Sequence, residues 1–193
     1  PDQAEPLFRQ ALEMLRAVHD ADHPEVAQTM GNLAAFLLDQ VEPGDRGAEE
    51  NYTEAEDLLL GAVEMQRRFR PDHPMIGQHL TSLGQLKSLQ GDFPAAERYS
   101  RQALHALNAK LDEDHHLVVG ARLDVAGDLL DQERAQEAEV ILERVYGQLN
   151  PQSSAGIRED TLRLLMEAYE MLGLEQDAAR FRALLQEESA KEQ

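Results

Sequence analysis

An acid, a histidine and usually a proline come back three times along this chain: DHPEVA from position 22, DHPMIG from 72 and DHHLVV from 114. Side chains of these types can do chemistry. A histidine beside an aspartate can move a proton, and imidazole with carboxylate can ligate a divalent metal. The densest local candidate is HDADH at 19–23, which sets His19, Asp20, Asp22 and His23 close together. It stands between two helical patterns and has no cysteine to complete a ligand set, so it reads as a structural connection. Equivalent histidines of successive units stand about one repeat apart, too far to share an ion whose ligand bonds are near ~2 Å. The chain has no Gly-x-Ser-x-Gly elbow, no P-loop and no His-Glu-x-x-His, and its glycines are scattered rather than gathered into a phosphate cradle. The expectation is a protein that is no enzyme, with no catalytic residue, no metal and no cofactor.

What positions the three motifs is a repeat. The alanines in DQAEPLFRQAL, YTEAEDLLLGAV, FPAAERYSRQAL, AQEAEVILERV and EQDAARFRALL are Ala4, Ala55, Ala96, Ala138 and Ala178, separated by 51, 41, 42 and 40 residues. Seven residues after each comes a second apolar column: Ala11, Ala62, Ala103, Val145 and Leu185. Upstream stand Leu33, Leu83, Val125 and Leu165, the first three followed by the small residues Ala34, Gly84 and Ala126. Within a unit, Ile76, Leu80 and Leu83 share one helical face, as do Ala96, Tyr99, Ala103 and Ala106. QGD between them is a stop signal, and Pro94 suits the first turn of the next helix. No run alternates with period two, so the fold class is all-α, with two helices to each unit.

In this frame Asp22-His23-Pro24 and Asp72-His73-Pro74 precede the first helix of a unit. An Asp or His there can accept hydrogen bonds from the helix's unpaired amides, and loss of such a cap costs about 1 kcal/mol. Asp114-His115-His116 lacks the proline but keeps the position.

The chain divides as one solenoid over 1–193: a half repeat, second helix only, at 1–20; repeats at 22–70, 72–111 and 114–149; and a capping repeat at 153–189. Leu33 to Ala55 is nine residues longer than Leu83 to Ala96, which places an inserted loop at about 41–51, around VEPGDRGAEEN. In the half repeat, Leu7, Ala11 and Met14 form one apolar face, and Phe8, Leu12 and Leu15 another. One neighbouring unit can cover only one face. The other is expected to meet a missing upstream repeat or a second copy of the chain, giving self-association through Leu7, Phe8, Ala11, Leu12 and Leu15. At the other end LLQEESAKEQ turns polar, as a cap should.

The formal charge is −19, with 37 acids against 18 bases and only three lysines. Such a field repels nucleic acid and anionic membrane and attracts cationic partners; adaptation to high salt would produce the same balance. No apolar run nears the ~18 residues needed to span a bilayer. The absence of cysteine fits a reducing compartment, and a cytoplasmic location is the expectation. The chain opens at Pro1 without a basic, apolar leader, as an excised piece of something longer would.

DHP, GNLAAFLLDQ, YTEAEDLLLGAV and GDFPAAERYSRQAL resemble the tetratricopeptide repeat, in the long variety of about 42 residues found in kinesin light chains. The likeness covers nearly the whole chain. It departs at the missing tryptophan, at Arg122 where the family prefers an apolar residue, and at Met166 in place of a small one, so the third and fourth units are expected to pack less regularly. The resemblance implies a right-handed α-solenoid whose first helices line a concave face, and a protein-interaction scaffold that binds a peptide or helix there. The groove positions it implies are Gln28, Asn32, Ala35 and Asp39; Gln78, Ser82, Gln85 and Leu89; Gly120, Asp124, Gly127 and Asp131; Asp160, Leu164, Glu167 and Met171. Asn32 sits where related repeats often carry an asparagine that touches peptide. Amides suit an extended backbone and the carboxylates suit a partner rich in Lys or Arg.

Overall fold

The structure is a computed structural model that describes residues 4–19, 23–41, 48–150 and 153–191, with side chains to residue 188. Its described elements are α1 (Ala4–Val18), α2 (Pro24–Asp39), α3 (Ala48–Phe69), α4 (Pro74–Leu89), α5 (Phe93–Asn108), α6 (His116–Asp131), α7 (Ala135–Gln148), α8 (Ala155–Met171) and α9 (Glu175–Lys191). Among the described residues there is no strand. Each helix packs on the next, and α2, α4, α6 and α8 also touch one another in a row. The second helices α3, α5, α7 and α9 make no such contacts with each other. A stack joined along one layer and open along the other must curve, with the first helices inside.

The recurring histidines do cap helices. His23, His73 and His115 each sit in extended backbone just before α2, α4 and α6, and each Nδ1 accepts the amide N–H two residues on at 3.2 Å. Pro24 and Pro74 occupy the first turns, where their missing N–H costs nothing. Asp92 caps α5 through Ala95 at 3.1 Å and Ser154 caps α8 through Ile157 at 3.3 Å, so the fourth unit opens with a serine where the others use histidine.

Within each unit the small column lets backbones close. A Cβ on Gly84 would stand 2.7 Å from Ser100 Oγ, too near to be tolerated unmoved, and Ala34, Ala126, Ala55, Ala96 and Ala138 are fully buried. The large column fills the space beside them: Leu33, Leu83, Val125 and Leu165 are at most 1% exposed. The apolar core falls into one cluster built on α1–α5 and another on α6–α9, bridged by Leu107, Val118 and Ala121. The interruption lies between the second and third units. Inside the third and fourth units the core is continuous, and Met166 packs half-buried against it. Arg122 is buried, and its guanidinium donates to the Glu113 carbonyl at 2.9 Å and to Gln148 Oε1 at 3.0 Å.

The inserted segment is partly helix. Residues 42–47 lie outside the described residues, but Ala48 to Asn51 form the first turn of α3, with Glu49 and Glu50 favourably placed at its positive end. The expected loop at 41–51 is corrected accordingly: Ala48 and Tyr52 are buried, and that burial extends the helix toward its N-terminus.

Two of the helix ends that turn left-handed use glycine, Gly91 at φ 76° and Gly173 at φ 71°. The corresponding end of α6 uses Glu133 at φ 59°, with Glu133 donating to the Leu130 carbonyl at 2.8 Å and Arg134 to that of Leu129 at 2.9 Å. A side chain in that conformation is strained where glycine is not. Glu133→Gly is therefore expected to raise stability by about 1 kcal/mol, read as an increased denaturation midpoint at unchanged slope.

Candidate partner-binding groove

The stacked first helices turn one row of positions toward the inside of the curve. Gln28, Asn32, Ala35 and Asp39 of α2 are exposed, as are Gln78, Gln85 and Leu89 of α4, with Ser82 half-buried. On α6, Asp131 is exposed while Gly120, Asp124 and Gly127 are half-buried; on α8, Asp160 and Met171 are exposed, Glu167 is half-buried and Leu164 is buried. A Cβ on Gly120 or Gly127 would meet nothing within 4 Å, so both glycines front open space.

At the C-terminal half this row deepens into a cleft of about 280 Å³. Gln85, Asp124, Asp131, Asp160 and Glu167, all expected groove residues, line it together. Gln28, Asn32, Asp39, Gln78 and Ser82 lie outside the cleft, nearer the N-terminal end of the row. The cleft also has Ser88, Ser100 and Asp128 on its walls, which the sequence did not single out. Asp128 stands one residue off the concave register, yet it lines the cleft and is hydrogen-bonded to Ser100 of α5, and no spacing rule on α6 alone could have found it.

The electrostatics of the cleft are dominated by carboxylates. Burial, with the neighbouring charges of Asp128 and Asp160, pushes Asp124 up to about 7. Burial also raises Asp128 to about 6 against the opposing hydrogen bond from Ser100, with Asp131 and Glu97 adding repulsion. One base lines the cleft, Arg163, and it is bound to Asp160 at 3.1 Å.

HDADH can be judged in part, because residues 20–22 lie outside the described residues. The His19 and His23 rings stack with centroids 3.9 Å apart, and His19 Nε2 lies 3.5 Å from the Glu25 carboxylate. Atoms of these three residues come within 4.8 Å of one another, close enough to hold an ion. His23 Nδ1, however, accepts the Glu25 amide, so in the neutral ring Nε2 carries the proton and is a donor. Ligation through that nitrogen would require the tautomer that gives up the cap.

The expected self-association residues divide between two sides of α1. Phe8, Leu12 and Leu15 pack into the core, with the Phe8 ring 5.7 Å from that of Phe36, so they are not available to a second copy. Ala11 is half-buried, and Leu7 is exposed together with Met14 and Val18.

These features define an all-helical interaction solenoid. Residues 46–109 and residues 1–25 match models of the tetratricopeptide repeat, and the fold is a right-handed solenoid of stacked helix pairs. Among solved structures it is similar to the nearly identical TPR-like repeats of a Podosopora anserina protein classed with kinesin light chains. That match has 21% identity and a TM-score of 0.78, over 98% of this chain and 87% of the other. A second structure of those repeats matches at 20% identity and a TM-score of 0.74, over 100% and 88% of the two chains. BtubC (BKLC) from P. vanneervenii matches at 17% identity and a TM-score of 0.82, over 98% and 73%. Comparison with curated protein sequences finds no match. No described helix is long and apolar enough to cross a membrane.

The raised Asp124 makes a prediction with a definite sign. Its folded value lies above the ordinary 3.8, so ionisation opposes folding; the penalty is absent below about 3.8 and complete above about 7. Asp124→Asn should stabilise the protein more at about pH 8 than at about pH 5, by roughly 1–2 kcal/mol after allowance for solvent screening at this partly exposed group. Denaturant melts of both proteins at the two pH values check it.

Proposed function

We propose that the protein is a non-catalytic scaffold whose concave groove binds a peptide or helix carrying Lys or Arg, as a regulatory part of a larger protein or complex. One observation carries this reading: seven residues expected in the groove from three different helices line a single acidic cleft. Asp124, Asp131 and Glu167 have no basic partner among the described residues, whereas some acids elsewhere on the surface are paired, such as Glu54 with Arg9 at 2.5 Å and Glu113 with Arg144 at 2.6 Å. Leu89 and Met171, expected on the same inner row, are 57% and 42% exposed and offer apolar contact beside the acids. A partner suited to it alternates basic and apolar groups. Neither nucleic acid nor an anionic membrane suits it, and no cofactor is called for.

The test is calorimetry with a panel of basic, neutral and acidic peptides. Basic peptides should bind, with affinity falling about tenfold or more between about 50 mM and about 500 mM salt. Binding indifferent to salt, or preference for acidic peptides, would overturn the reading.

A second reading, self-association, is favoured by the open side of α1, where Leu7, Met14 and Val18 are 62%, 60% and 77% exposed. Light scattering should then show a concentration-dependent dimer that Met14→Glu abolishes. A monomer at every concentration disposes of it.

A further inference from the structure

We propose that the cleft between α4, α6 and α8 is a lock for one arginine side chain of the partner, held by Asp124 and Asp128. This rests on the scaffold reading and names the part of the groove that recognises the partner.

Asp128 is the first reason. It is 6% exposed, lines the cleft, and one of its carboxylate oxygens is buried without a hydrogen-bond partner. A buried acceptor left unmatched costs about 1–3 kcal/mol, more when charged, and the fold carries that cost at a position facing the groove. An arriving N–H donor would remove it.

The spread of the acids decides which cation. No three carboxylates of the cleft bring oxygens within 4.8 Å of one another; among the described residues only His19, His23 and Glu25 form such a group. A small metal ion, with ligand bonds near ~2.0–2.6 Å, would reach too few of them. A guanidinium offers five N–H donors in a planar fork and can bridge acids that stand apart. Leu123, Leu130 and Leu164 supply apolar wall for its methylene stem, and Gly127 leaves the mouth open. The volume of about 280 Å³ falls just below the roughly 300–1,000 Å³ of sites for drug-sized ligands, and suits a side chain rather than a helix.

The surrounding charges set the pH response. Asp131 of α6 and Asp160, Arg163 and Glu167 of α8 line the cleft, while α4 contributes the uncharged Gln85 and Ser88. Glu97 of α5 acts on Asp128 from behind but is already bound to Arg101 at 2.8 Å and to Arg134 of α7 at 2.6 Å. Asp124 and Asp128, raised to about 7 and about 6, are partly protonated in mildly acidic solution, so a bound guanidinium must displace those protons. Binding should weaken as pH falls.

The experiment is an NMR titration of the whole chain with N-acetylarginine amide, repeated with N-acetylnorleucine amide and with Ca²⁺. Arginine should shift the amides around Asp124 and Gly127, with affinity falling about tenfold from about pH 8 to about pH 5.5, and norleucine should not. Asp128→Asn, which removes a buried charge and should fold at least as well, and Gly127→Leu, which fills the mouth without altering charge, should each abolish the effect. Shifts spread over the surface, survival in both variants, or tighter capture of Ca²⁺ at the same residues would overturn the proposal. If basic peptides bind the wild type and both variants equally, the lock is wrong while the scaffold stands. If arginine binds here but no basic peptide does, the scaffold reading fails alone.

Discussion

The close approach of the two helices in each unit is the constraint on which this molecule depends. It needs small residues where the backbones meet and a large apolar residue beside them, and the chain supplies both in step. Ala34 faces the first pair, Gly84 the second and Ala126 the third, with Leu33, Leu83 and Val125 buried alongside. Each such leucine contributes about 1.5–3 kcal/mol by leaving water, which no isolated hairpin could collect without its neighbours. The same tight fit recurs between units. Gly31 has no room for a Cβ because the His79 ring of the next unit lies against it. His79 is buried with Nε2 unpartnered, and burial pushes it down to about 4, so it packs as a neutral ring.

Because those contacts are local and periodic, the sequence displays them openly. The columns of Ala, Leu and small residues mark the helix pairs, and an Asp-His pair marks where three of them begin. Its histidine holds an amide by Nδ1 rather than reaching for an ion, so a motif with the look of chemistry proves to be architecture. Helix lengths are less legible. Where α3 begins depends on the burial of Ala48 and Tyr52 by other parts of the fold, and a stretch rich in Pro, Gly and charge gives no hint of that. Nor does the spacing reveal which face of α1 is covered, since both faces carry apolar residues at helical intervals.

The candidate site was half legible for the same reason. Positions on the inner row follow from helical geometry, so Asp124, Asp131, Asp160 and Glu167 could be expected there. The cleft that gathers them lies beside the break in the core between the second and third units, where Ser100, Glu97, Gln132 and Asp128 form polar contacts. Gln132 Nε2 donates to the Asp128 carbonyl at 2.8 Å and to Glu97 Oε2 at 3.0 Å, and Arg134 closes the group from α7. A polar seam of this kind is a property of three successive helices at once. A repeat pattern read one unit at a time averages it away.

The charge of the whole chain acquires a different meaning in this light. With 37 acids and 18 bases, carboxylates outnumber cationic partners about two to one. On a convex surface, water and salt screen such groups within about a Debye length, and their placement matters little. Inside a concave wall lined by Leu123, Leu130 and Leu164, the same charges share a region of low polarisability and raise one another's proton affinity. The array's other close-packed acids are matched by Lys87 on Glu56 at 2.6 Å, or by Arg134 and Arg101 on Glu97. Asp124 and Asp128 are not matched in this way. Destabilising charges left uncompensated in a cleft lined by three first helices are what a groove requires if its missing cation arrives on another molecule.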